Sequence, residues 1–145
     1  MSIKFEIVTP ERVVLQDDVL HIVVPTREGE ITVLPNHIPL VAMLKPGVLE
    51  VKKIDGSVEI MSVSGGFLEV LRDKVVVLAD TAERAIEIDL DRAEEARARA
   101  EKIKREAVSR DDVNYADLSS QIAKELARVH AARKWRKIQR LDNVS

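Results

Sequence analysis

The sequence predicts an α+β protein in which an N-terminal antiparallel β-sandwich is followed by a C-terminal antiparallel hairpin of two helices. All five prolines and all five glycines lie in residues 1–87. Short runs of alternating apolar and polar residues fill that part, whereas residues 88–145 repeat apolar residues every three or four positions. Strands and helices therefore occupy separate parts of the chain, and we predict two domains, residues 1–87 and residues 88–145.

The first part has the pattern of half-buried strands. Ile3, Phe5 and Ile7 alternate with polar neighbours, and alternate side chains of a strand lie on the same face. Asp55-Gly56 between two alternating runs predicts a tight hairpin, and Gly65-Gly66 predicts another turn. Short, regularly spaced strands are typical of a sandwich or a flattened barrel. The predicted strands are Ile3–Ile7, Val19–Val24, Ile31–Leu34, Val48–Val51, Val58–Val63, Phe67–Leu71 and Val75–Ala79.

The second part has a helical period. Apolar residues recur from Ala93 to Ala107, then 109–112 interrupt the pattern, and a second helix continues from Tyr115 through Val129. Two helices with a short connection normally pack antiparallel. The first apolar stripe is mostly alanine, and each buried methyl contributes only about 0.8 kcal/mol. We therefore expect the hairpin to be held loosely on the sandwich.

Composition excludes several classes of function. The net charge of −2 and the aromatic content of 3% argue against nucleic-acid binding. The chain has no cysteine, which rules out disulfides and thiolate metal sites. No stretch approaches the roughly 20 apolar residues of a transmembrane helix, and the N-terminus lacks the pattern of a secretory signal. We expect contact with a membrane only through a larger complex.

A catalytic role finds little support. His21, His37 and His130 are widely separated, and no Gly-rich phosphate loop is present. Acidic pairs such as Asp17-Asp18 lie beside turns, where capping explains them better than acid–base chemistry. We predict a protein that is not an enzyme, has no metal site and requires no cofactor.

Residues 88–93 form a candidate anion site where the two parts meet. A helix N-terminus has free N–H groups and partial positive charge, and the planar guanidinium of Arg92 suits phosphate. Asp89 could accept a hydrogen bond from an adenine amino group. The alternative is structural: Asp89 or Asp91 caps the helix, and Arg92 pairs with an acid.

The last part of the chain is basic and could dock on an acidic surface in a salt-sensitive manner. The alternative is a solvated helix face or a frayed terminus. Trp135 lies within the basic run, where it could anchor a contact or cover the helix pair. The basic side chains belong to Arg128, Arg133, Lys134, Arg136, Lys137 and Arg140.

Four segments resemble those of the epsilon subunit of F-type ATP synthases, in the same order and at the same spacing, and they span nearly the whole chain. The segments are Gly29-Glu30-Ile31-Thr32-Val33-Leu34-Pro35-Asn36-His37-Ile38-Pro39-Leu40, then Lys45-Pro46-Gly47-Val48-Leu49, then Ser64-Gly65-Gly66-Phe67-Leu68-Glu69-Val70 running into Val75–Asp80 and Thr81-Ala82-Glu83, and finally Ile88-Asp89-x-x-Arg92-Ala93.

The resemblance implies a non-catalytic rotor subunit of the central stalk. The sandwich would bind the rotor, with Glu30 facing the ring of c subunits and His37 near the gamma subunit. The implied location is peripheral, at the cytoplasmic face of a bacterial membrane.

The implied work is coupling proton translocation to ATP synthesis and inhibiting wasteful ATP hydrolysis. Residues 88–145 would form the regulatory domain, whose helices reach acidic segments of the alpha and beta subunits. The basic residues expected at that contact are Arg128, Arg133, Lys134 and Arg136.

The fourth segment also matches the family's ATP-sensing motif, at Ile88, Asp89, Arg92 and Ala93. One departure weakens this expectation: Asp117-Leu118 stands where members that bind ATP well have Arg-Ala, and a carboxylate repels a triphosphate. We therefore expect millimolar rather than micromolar affinity, a difference of about 4 kcal/mol.

A competing hypothesis is a free-standing sandwich module that binds a small ligand and dimerises through its helices. Such a module would not form a complex with a gamma subunit, and this binding test discriminates the two hypotheses.

Overall fold

The computed structural model describes residues 1–106 and 114–143, which form seven strands followed by two helices. The α+β class predicted from the sequence is confirmed. The strands are β1 (Ile3–Val8), β2 (Val13–Thr26), β3 (Gly29–Val33), β4 (Leu40–Met43), β5 (Gly47–Lys53), β6 (Val58–Val70) and β7 (Val75–Arg84).

The strands form one sheet that closes on itself into a flattened barrel. The pairing order is β1-β7-β6-β5-β2-β3, and β1 also pairs with β2, while β4 pairs with β6. The pairings are antiparallel except β1 with β7, which is parallel. Closure gives β1, β2, β5, β6 and β7 a neighbour on both sides, while among the described strands β3 and β4 each pair with a single strand.

The predicted turn at Gly65-Gly66 is wrong, because both glycines lie inside the continuous strand β6. Their φ angles of 68° and 102° are ones that glycine adopts readily. A Cβ atom on Gly66 would lie 1.9 Å from the carbonyl oxygen of Leu78 on β7. The glycines therefore let β6 bend while the neighbouring strand stays in register.

The core of the sandwich is almost entirely aliphatic. Its largest fully buried side chains include Phe5, Ile7, Ile22, Leu49 and Leu68, which come from four different strands. The alternation predicted for β1 is confirmed, since Ile3, Phe5 and Ile7 are all buried. Among the residues that the structure describes, this core includes none from either helix.

After β7, one turn of 3-10 helix (Ala85–Glu87) leads into helix α1 (Leu90–Glu106), and helix α2 (Asn114–Asp142) follows. The two helices pack against each other, as the hairpin prediction requires. Ala93 and Ala100 lie in the seam, but Ile103 is half exposed. The predicted interruption at residues 109–112 and Ala107 fall outside the described residues.

A second, smaller apolar cluster joins the hairpin to the sandwich. Helix α2 packs against β5 and β6, and Ile60 of β6 is buried beneath it. Trp135 is partly buried against this cluster. The buried members are Ile60, Ala85, Ile88, Leu90, Ala93, Val129, Ala131 and Ala132.

Candidate functional site

Of the four motif residues Ile88, Asp89, Arg92 and Ala93, two are buried and two are exposed. Ile88 and Ala93 are buried in the cluster beneath the hairpin. The carboxylate of Asp89 accepts a hydrogen bond from the backbone N–H of Arg92 (3.2 Å), and the Arg92 guanidinium lies 3.7 Å from the same carboxylate. Asp89 therefore caps α1, and its negative charge occupies the position that favours an anion.

Arg128 of α2 forms the best-connected ion cluster between the helices and the sandwich. Its Nε and Nη2 atoms donate to Glu83 of β7 at 2.8 and 3.3 Å, and its Nη1 atom donates to Glu125 at 3.0 Å. Burial alone lowers the pKa of the Arg128 guanidinium, but the hydrogen bonds and charges of Glu83 and Glu125 raise it above its ordinary value. Arg128 stays charged, and Glu125, which is buried, has a positive partner.

The other three predicted docking residues lie further along α2. Lys134 donates to Glu50 of β5 at 2.6 Å, and Arg133 pairs with Glu94 of α1. Arg136 is exposed. Three of the four cations predicted to dock on an acidic surface are thus already paired with acids of this chain. Sequence reasoning missed those partners, because they lie 39 to 84 positions away.

A polar cleft of about 230 Å³ opens where α2 meets β6 and β7. Lys124 and Arg128 are the two cations that line it. The motif residues at 88–93 are not among its lining residues, so the structure does not bring Arg92 into this cleft. The cleft is lined by Ser62, Thr81, Ala82, Glu83, Lys124, Glu125 and Arg128.

Glu30 and His37, predicted to contact the rotor, lie in and just after β3. Glu30 is exposed and faces Pro25 in the β2–β3 register. The Nδ1 atom of His37 lies 2.7 Å from the carbonyl oxygen of Ile38. Because a carbonyl can only accept, this hydrogen bond requires Nδ1 to carry a proton.

An exposed apolar row crosses three strands of the outer face, and sequence reasoning missed it. Met43 is paired with Phe67, and Phe67 with Leu78, so the three side chains lie side by side on β4, β6 and β7. All three are more than 40% exposed, and Val41, two positions before Met43, is 67% exposed. Isolated exposed apolar residues are ordinary, but a contiguous row of them indicates a binding surface.

Other classes of site find no support in the described residues. No group of three or more His, Asp or Glu residues in 1–106 and 114–143 is placed to hold a metal ion. Neither described helix has the length and apolar character that crossing a membrane requires.

A family model for the β-sandwich domain of the ATP synthase delta/epsilon chain matches residues 2–85. The ATP synthase epsilon chain of Chloroflexus aggregans is 55% identical over 100 residues, covering 69% of this chain and 71% of that protein. The epsilon chain of Moorella thermoacetica is 44% identical over 131 residues, covering 90% and 96%.

Two solved structures share the fold. A chain of the Euglena gracilis mitochondrial ATP synthase structure (OSCP, F1 and c-ring) superimposes with a TM-score of 0.77 at 26% identity, covering 87% of this chain and 78% of that one. A chain of the Tetrahymena thermophila mitochondrial ATP synthase central stalk and c-ring gives a TM-score of 0.56 at 14% identity, covering 91% and 97%. The family model matches the sandwich, and relatives match the chain over both the sandwich and the helix pair. The chain therefore belongs to the family of ATP synthase epsilon chains.

Proposed function

We propose that this chain is a non-catalytic rotor subunit in the central stalk of an F-type ATP synthase. In this role the sandwich binds the gamma subunit and the ring of c subunits, and so helps to couple proton translocation to ATP synthesis. The complex acts at the cytoplasmic face of a bacterial membrane, where this chain is a peripheral component. The family match favours this function over the free-standing, dimerising module.

The observation that carries the proposal is the exposed apolar row Met43–Phe67–Leu78. Three registered side chains on neighbouring strands make a flat surface that loses contact with water when a partner covers it. We assign this surface to the gamma subunit. His37 lies in the loop that leads into β4, close in sequence to the row, and we assign it to the edge of the same contact. Glu30, exposed on β3, is assigned to the polar loops of the c ring.

The hairpin supplies the second activity, inhibition of ATP hydrolysis. Arg128, Arg133, Lys134 and Arg136 follow one another along α2 and carry positive charge toward acidic segments of the alpha and beta subunits. A hairpin held by a small apolar cluster can leave the sandwich without disturbing the sandwich core, because that core contains none of its residues.

The proposed gamma contact is tested by gel filtration of the purified chain with a gamma subunit. Phe67→Glu places a charge in the centre of the apolar row, and we expect it to abolish the complex. Ile54→Glu is the matched control, because Ile54 is 58% exposed in the turn between β5 and β6, outside the row. A Phe67→Glu chain that binds gamma as well as the unaltered chain overturns the assignment.

ATP is proposed as a weak regulatory ligand that favours the folded hairpin. The supporting features are the N-terminus of α1, Arg92, and the buried contacts of Ile88 and Ala93 that tie this turn to the hairpin. The Asp89 carboxylate already accepts a hydrogen bond from the backbone N–H of Arg92 in the first turn of α1. Asp117 is exposed in the first turn of α2. Both carboxylates oppose a triphosphate, which is consistent with millimolar affinity.

A further inference from the structure

Two carboxylates of the sandwich hold two of the cations that α2 would present to an acidic partner. Glu50 of β5 pairs with Lys134, and Glu83 of β7 pairs with Arg128. All three nitrogens of the Arg128 guanidinium donate to Glu83 or Glu125. Three of the five N–H donors of Arg128 are thus used, and its single positive charge already faces two carboxylates while the hairpin lies on the sandwich.

The two ion pairs flank the apolar contact of α2 with the sheet. Glu50 is the registered partner of Ile60, and Glu83 is the registered partner of Ser62, two positions further along β6. Arg128 and Lys134 are six residues apart, which is about 9 Å along a helix. The carboxylates thus fix α2 at two points on either side of the buried Ile60 side chain.

The apolar part of this contact combines small and large side chains of α2. Val129, Ala131 and Ala132 are buried in the cluster, and Trp135 and Ile138 are partly buried against it. The Lys134 side chain is 46% exposed and the Glu50 side chain 25%, so salt weakens this pair. Two ion pairs thus act beside this apolar contact to hold the hairpin on the sandwich.

We propose that Glu50 and Glu83 act as an intramolecular latch that competes with an acidic partner for Lys134 and Arg128. These cations engage the partner only after the hairpin has left the sandwich, so the strength of the latch sets how readily the hairpin binds elsewhere. The proposal rests on the docking function proposed above for the hairpin. It adds the identity of the groups that oppose docking.

The test measures release of the hairpin in the full-length chain alone. The chain has no cysteine, so spin labels on Ile54→Cys and Gln139→Cys report the separation of the sandwich and α2 by pulsed electron resonance. Emission from Trp135, the sole tryptophan, gives a second readout. We expect the double variant Glu50→Gln, Glu83→Gln to raise the released fraction about five- to thirtyfold at low salt. We also expect high salt to reduce its difference from the unaltered chain.

Glu94→Gln is the matched control, because it removes the same charge from an ion pair that lies wholly within the hairpin. This control should leave release unchanged. Equal release in the double variant and the unaltered chain, or equal increases in the double variant and the control, overturns the latch.

Hydrolysis assays on the assembled complex separate the latch from the proposed function. Greater release together with stronger inhibition supports both. Greater release without any change in inhibition supports the latch and overturns inhibitory docking of the hairpin.

Discussion

Arg128 on α2 holds Glu83 on β7 through two hydrogen bonds, although the residues are 45 positions apart in the chain. The same guanidinium neutralises Glu125, which is only 8% exposed. One arginine thus compensates one buried carboxylate of the helix and one half-buried carboxylate of the sheet. This cluster marks where the helices meet the sandwich.

Arg128→Ala should destabilise the docked hairpin by about 1–3 kcal/mol, because Glu125 would be left buried without a positive partner. Arg136→Ala, at an exposed position of the same helix, should change stability by less than about 0.5 kcal/mol. Urea unfolding followed by far-UV circular dichroism measures both. Equal effects of the two substitutions would show that the cluster contributes nothing specific.

Gly66→Ala should destabilise the sandwich more than Gly56→Ala does. Both glycines have positive φ angles, of 102° and 89°, so alanine is strained at either position, at a cost of about 1–3 kcal/mol. Only at Gly66 would the added Cβ also meet backbone atoms, those of Leu78 and Ala79. Thermal unfolding of the two variants makes the comparison, and a lower midpoint for Gly56→Ala would contradict the bend assigned to β6.

The pKa of Asp55 lies below its ordinary value, first because the Ser57 hydroxyl donates to its carboxylate at 2.6 Å and next because the Ser57 backbone N–H donates at 2.8 Å. The stability that this turn gains is therefore present above the pKa of Asp55 in the unfolded chain, and it is lost as pH falls through the lower, folded-state pKa. Carboxyl titration by NMR should show the pKa rising in Ser57→Ala. An unchanged pKa in that variant would remove the hydroxyl as the main cause.

Calorimetry on the isolated chain should detect ATP binding only in the millimolar range. Arg92→Ala should abolish the heat signal, because the guanidinium is the planar cation of the motif. Lys102→Ala serves as the control for general loss of charge on α1. If Arg92→Ala binds ATP as the unaltered chain does, or if no binding occurs at several millimolar, Ile88–Ala93 serves only as a helix cap.

The fold class could be predicted from the sequence because its two parts follow different rules. In the first part, apolar and polar residues alternate between turn residues, and this pattern predicted the strands. In the second part, apolar residues recur every three or four positions, and this pattern predicted the helices. Two strand features were missed for local reasons. Strand β4 was not predicted because it has only four residues and lies between two prolines. Gly65-Gly66 was predicted as a turn because of its composition, although pairing with neighbouring strands on both sides keeps β6 continuous.

The candidate site was harder to predict because its contacts are long-range. The basic residues of α2 were identified as a docking face, but pattern alone could not pair Lys134 with Glu50 across 84 positions. The apolar row was missed for the same reason, since Met43, Phe67 and Leu78 become neighbours only through strand register. Asp89, by contrast, caps α1 as one of the two interpretations of its motif anticipated, because capping depends only on neighbouring residues.

ATP hydrolysis by an F1 complex depleted of its epsilon subunit tests the central claim most directly. The depleted complex would be reconstituted with the full chain or with residues 1–87, and gamma binding would verify that both are incorporated. We predict that the full chain lowers the hydrolysis rate and that residues 1–87 bind without lowering it. Equal rates with the two proteins, or failure of the full chain to join the complex, would contradict the account of a rotor subunit with an inhibitory hairpin.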